Sequence, residues 1–117
     1  MNNFSISVKS ANDIIVIMPK GYVNNLGAEK LEHACEQFFD KGLKKIVINF
    51  SDVQFINSIG ASVFTSVVQK TLEYSSVLCF TNIKRIHRDV FDMLGITKHV
   101  KVFKDEKDAL NFLKDTE

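Results

Sequence analysis

The chain has 117 residues, 45% of them hydrophobic and 25% charged, with 15 basic against 14 acidic side chains and a formal net charge of +1. That length suits one domain, expected over residues 1–117, and the composition is that of an ordinary globular protein able to bury its own core. Near-balanced charge argues against nucleic acid as the main partner, since phosphate binding shows as a basic excess or stripe.

In chain order, residues 1–9 carry no basic region followed by an apolar run, so no secretory signal is expected. Residues 4–8 alternate apolar and polar, the pattern of a half-buried strand. Ser10, Ala11, Asn12 and Asp13 make a turn, and residues 14–18, rich in β-branched side chains, make a buried strand pairing antiparallel with the first. Pro19 cannot donate to a ladder and Gly21 loosens the chain, so this strand is expected to end there. A loop over residues 22–27 holds Asn24 and Asn25. Ala28, Leu31, Cys35, Phe38 and Phe39 then recur at helical spacing, with Gly42 placed to stop the helix.

Residues 45–50 form the next strand, and residues 51–57 read as a short apolar connection. Ile59, Val63, Val67 and Thr71 recur every four residues, with Phe64, Val68 and Leu72 beside them, so a wide buried helix follows. Residues 77–80 are a fourth strand. Ile86, Val90, Met93 and Leu94 mark a third helix ended by Gly95, residues 100–103 a fifth strand, and Asp105 caps a last helix through Ala109, Leu110, Phe112 and Leu113. The order β β α β α β α β α requires crossover connections and therefore a mostly parallel sheet.

No segment approaches the ~18 apolar residues of a membrane span, so direct membrane insertion is not expected. Cys35 and Cys79 form no CxxC pair and no zinc spacing, which points to two buried free thiols in a reducing, cytoplasmic setting. Lys84, Arg85, His87 and Arg88 read as one solvated helix face. His33, His87 and His99 show neither triad nor metal spacing and are expected at surface or capping positions. There is no GxSxG elbow, no GxxxxGK loop and no GxGxxG, so neither catalysis nor a cofactor is indicated.

The chemistry-bearing feature is Asn57-Ser58 between an apolar connection and an apolar helix. A serine there is a natural N-cap. Gly60 is unfavourable inside a helix by about 1 kcal/mol relative to alanine, which suggests close approach of another backbone, a surface kept clear for a partner, or packing alone.

At these residues the chain resembles the STAS family, in the form found in anti-sigma factor antagonists. The family's strand, apolar turn and Asp-Ser-Ser-Gly helix start correspond to residues 46–56 followed by Asn57-Ser58-Ile59-Gly60. Its Gly-x-Leu-Asp loop corresponds to Gly21-Tyr22-Val23-Asn24, and its Leu-Gly-Leu-like helix end to Leu94-Gly95-Ile96. The resemblance runs over residues 4–114. It implies a mixed, mostly parallel five-stranded sheet with about four helices packed chiefly on one face. It implies a non-enzymatic binding module that captures an anti-sigma factor acting as a serine kinase. Ser58 would be the phosphorylated residue, and a serine phosphatase would reverse the modification. Asn24, Asn25, Asn57, Ser58, Ile59, Gly60 and Ser62 would form the binding face. Asn57, Ile59 and Asn24 stand where the family has Asp, Ser and Asp. The competing expectations are a STAS subunit acting without phosphorylation, in a lipid-transport ABC complex or a sensory assembly, and an enzyme or nucleotide-binding domain.

Overall fold

The computed structural model describes residues 4–116, so the first three residues of the N-terminal segment lie outside it. Among the described residues, six strands and four helices follow one another: β1 (Ser5–Ala11), β2 (Ile14–Val23), α1 (Asn25–Asp40), β3 (Lys45–Asn49), β4 (Asp52–Ile56), α2 (Ser58–Glu73), β5 (Val77–Thr81), α3 (Arg85–Met93), β6 (Lys101–Phe103) and α4 (Glu106–Lys114). A 3-10 turn, Ile96–Lys98, follows α3.

The sheet order is β1-β2-β3-β5-β6, with β4 also paired to β2. Among the described residues only the β1–β2 hairpin is antiparallel; the remaining pairings are parallel. The hairpin closes with Ala11 opposite Ile14, leaving Asn12 and Asp13 as its two-residue loop. Asn12 takes a positive φ of 59°, which asparagine tolerates better than most side chains.

The expected connection over residues 51–57 is instead a sixth strand. Strand β2 is longer than its sequence suggests and serves two partners in succession. Its first half pairs with β3 from Ile14 to Ile17, and its second half pairs with β4 from Lys20 to Val23. Pro19 falls in the gap between those partners, where its missing N–H interrupts neither ladder. Gly21, at φ 100°, absorbs the register shift between Gly21 and Tyr22.

Alternation along the strands divides the core into two layers. Ile15, Ile17, Ile46, Ile48, Leu78 and Phe80 face α1, α2 and α3, where Leu31, Phe64, Val67 and Phe91 meet them. Ile14, Val16, Val47 and Cys79 face the other way, against Ala109 and Leu113 of α4. Three helices therefore cover one face and the short α4 the other. Phe50, Phe64, Phe80 and Phe91 make the centre of the larger layer, with ring centroids 5.0 to 6.0 Å apart, distances at which aromatic pairs attract. Cys35 and Cys79 are buried free thiols, and burial pushes both up to about 12.

Helix α3 buries a different stripe from the one its leucine and isoleucine spacing suggests. Ile86, Met93 and Leu94 are exposed, whereas His87 and Phe91 are buried. The basic stretch Lys84-Arg85-His87-Arg88 is thus not one solvated face, because its histidine points into the protein.

Candidate functional site

Strands β2 and β4 end side by side, with Val23 opposite Ile56. Each leads directly into a helix, so the N-termini of α1 and α2 lie next to each other. The two helices open on the same local pattern. Asn24 and Asn57 are the N-caps, accepting from the N–H of Gly27 at 3.0 Å and of Gly60 at 2.7 Å. Asn25 and Ser58 follow as the first helical residues, Leu26 and Ile59 as the second, and Gly27 and Gly60 as the third. The repeated cap, polar, apolar, glycine signal was available in the sequence. It would have begun α1 at Asn25 rather than at Ala28.

Two contacts join these helix starts. The Asn57 N–H donates to the Val23 carbonyl at 3.1 Å. A Cβ on Gly60 would stand 2.5 Å from that carbonyl oxygen and 3.0 Å from the carbonyl carbon and oxygen of Asn24. Of the expected reasons for Gly60, the close approach of another backbone is the one observed. Gly60 is buried and brings the first turn of α2 against the β2–α1 corner.

Ser58 is exposed. It is the first helical residue and not the N-cap, a correction with a simple cause: the Asn57 amide oxygen already takes the N–H of the third helical residue. The serine hydroxyl is therefore not needed to close the helix end. Around it stand Asn25, exposed at the start of α1, and Ser62, exposed one turn along α2, whose hydroxyl donates to the Ile59 carbonyl at 2.7 Å. Leu26 and Ile59 are 63% and 62% exposed, and Phe55 and Ile86 are also exposed apolar side chains. Neither helix has an acidic residue in its first turn, so the positive end of each helix dipole is left uncompensated. Of the expected site residues, Asn25, Ser58, Ile59 and Ser62 are exposed, Asn24 and Asn57 are half-buried, and Gly60 is buried.

Sequence reasoning missed the support beneath this face. His87, reaching across from α3, is buried, and its Nε2 accepts from the Ile56 N–H at 3.2 Å. Burial, and secondarily the charge of Lys84, hold the ring below the usual histidine range. The signal was the four-residue step from His87 to Phe91, which places both on one helix face. The competing step from Ile86 to Met93 hid it. His33 and His99 are exposed, as expected.

Against known proteins, the STAS domain family matches residues 5–109. The chain belongs to the STAS domain family. A protein of Bordetella bronchiseptica named as an anti-sigma factor antagonist, BtrV, is 24% identical over 90 residues, covering 77% of this chain and 78% of BtrV. An anti-sigma factor antagonist from Mycobacterium paratuberculosis has the same fold, with a TM-score of 0.81 at 19% identity over 97% of this chain and 96% of that one. So does the Bacillus cell fate determinant SpoIIAA in its phosphorylated form, with a TM-score of 0.71 at 17% identity over 95% and 99%. Among the described residues, no helix is long and apolar enough to cross a membrane.

Proposed function

We propose that this STAS domain is an anti-sigma factor antagonist: a cytoplasmic, non-enzymatic module, needing no cofactor and no nucleic acid, that captures an anti-sigma factor and is switched at Ser58. The partner doubles as a serine kinase that phosphorylates Ser58, and a serine phosphatase reverses the step. Asn24, Asn25, Asn57, Ser58, Ile59, Gly60 and Ser62 make the contact face, with Gly60 acting through the position it gives its neighbours.

The observation that carries this reading is the exposure of Ser58 at the first position of α2, where its hydroxyl is not the cap. A phosphoryl group there adds about −1.5 to −2 charges at pH 7. It meets the positive end of a 16-residue helix with no acidic residue in its first turn, so the fold tolerates it. Asn57 and Asn24 replace carboxylates yet keep an acceptor oxygen on each helix cap. They also spare the phosphate two like charges. At a contact surface, by contrast, the same dianion must be desolvated or repelled. A penalty of about 3 kcal/mol weakens binding on the order of a hundredfold.

The test is transfer of label from ATP by the captured partner, with mass spectrometry of residue 58. Wild type should gain one phosphoryl group at Ser58 and the Ser58→Ala variant none. A wild-type protein that binds its partner and never takes up label would favour a STAS subunit working without phosphorylation.

A further inference from the structure

The switch residue sits two positions beyond a backbone N–H whose acceptor comes from a distant helix. Ile56 ends β4, Asn57 caps α2, and Ser58 begins it. The Ile56 N–H is paired with His87 Nε2, 31 residues away. Buried backbone donors must find a partner, so the imidazole is a required element of this corner. Lys84 of the same segment adds a second tie, donating from Nζ to the Gln54 carbonyl at 3.1 Å. The Phe55 ring meets the imidazole edge-on with centroids 5.6 Å apart, and Tyr22 of β2 stands against Phe55 at 5.3 Å.

We infer that His87 is a positioning residue for Ser58: its neutral ring pins the end of β4 and so fixes where the first turn of α2 presents the serine hydroxyl. This rests on the reading of Ser58 as the residue the partner touches. Acceptance at Nε2 requires the neutral tautomer with its proton on Nδ1. A doubly protonated ring has no lone pair there and sets a donor against a donor.

The groups around the ring oppose its protonation. From β4 it meets Phe55 and Ile56, both uncharged, and Tyr22 of β2 stands behind Phe55. The first turn of α2 brings no acid. On its own segment Lys84 is cationic, while Arg85 and Arg88 are taken up by Asp89 and Asp92 at 3.6 and 3.9 Å. Among the described residues no carboxylate is placed to stabilise an imidazolium, and the ring is neutral and accepting at pH 7. As pH falls, its protonation releases the Ile56 N–H and loosens the corner that carries Ser58.

The experiment is a 15N–1H NMR titration of the whole chain from pH 7.5 to 4.5, on wild type, His87→Gln and His87→Leu. In wild type the amides of Ile56, Asn57 and Ser58 should move together with the His87 ring, at a midpoint below 6.5. Glutamine offers Oε1 near the place of Nε2 without titrating, so those amides should keep their wild-type positions at pH 7.5 and stay flat. Leucine removes the acceptor, and the Ile56 amide should exchange with solvent about tenfold faster or more at pH 7.5. Amides 56–58 that hold still while the ring titrates would overturn the inference, as would a glutamine variant that titrates like wild type. Should the leucine variant not fold, wild type against glutamine still decides. Binding of the partner by wild type and Ser58→Asp, measured alongside, separates the two claims. Equal binding defeats the Ser58 switch, whereas the amide titration alone decides the role of His87.

Discussion

Replacing Gly60 with alanine sets two effects of opposite sign against each other. Alanine is the better helix former by about 1 kcal/mol, so propensity alone makes the variant more stable. The added Cβ, however, would stand 2.5 Å from the Val23 carbonyl oxygen and 3.0 Å from the Asn24 carbonyl. Those atoms are backbone, fixed by the β2–β4 pairing on one side and the α1 cap on the other. They cannot rotate away as a side chain could. Overpacking of this kind costs about 1–3 kcal/mol, and a rigid neighbour puts it at the upper end. Relief requires α2 to move off the β2–α1 corner, which also stretches the Asn57 N–H bond to Val23, now 3.1 Å. The net expectation is a loss of about 2 kcal/mol, or a melting temperature lower by about 8 °C for a domain of this size. Thermal unfolding followed by circular dichroism reads it directly. A Gly60→Ala variant as stable as wild type, or more so, would show that the close approach does not constrain the helix start.

Ser58→Ala should stay within about 0.5 kcal/mol of wild type in urea unfolding, whereas Asn57→Ala should lose about 1 kcal/mol; the reverse order would restore the serine as the cap. Burial pushes the Glu106 carboxyl up, but hydrogen bonds from Lys9 at 2.8 Å and Asn49 at 2.9 Å outweigh it, and its pKa lies below the ordinary value of 4.5. A depressed carboxylate stabilises the fold above its unfolded pKa and loses that contribution as pH falls below about 4.5. Glu106→Gln should therefore show a shallower loss of stability between pH 5 and 3 than wild type. Cys35 and Cys79, raised to about 12 and buried, should resist a thiol reagent at pH 8 in the native protein and react at once in denaturant. Fast labelling without denaturant would contradict their placement.

Most of the elements could be read from residue spacing because each carries its own period and stop. The glycine stops at Gly42 and Gly95 both take positive φ at helix ends, and Asp105 caps α4 through the Asp108 N–H. What spacing concealed was long-range. Strand β4 is five residues with a partner more than thirty positions back, and Val53, Phe55 and Ile56 look like an apolar connection until β2 is seen to continue past Pro19. Proline falls where β2 exchanges β3 for β4 on one edge while β1 continues to pair along the other. The start of α2 was legible at Asn57-Ser58, where a polar pair interrupts two apolar segments. It was misread by one residue, because Asn and Ser are both good caps and sequence alone does not rank adjacent candidates. His87 was hidden for a related reason. It sits among Lys84, Arg85 and Arg88, and only the fold turns its ring toward the Ile56 N–H.

A dianion at residue 58 should change contact and leave architecture alone. Affinity of the purified anti-sigma factor partner for wild type and for Ser58→Asp, by calorimetry, tests it most directly when read beside the melting temperature of each. With one negative charge where phosphoserine carries nearly two, the aspartate variant should bind at least about tenfold more weakly, with melting temperatures within a few degrees of each other. Equal affinities, or a loss of binding that follows a loss of fold, would contradict it.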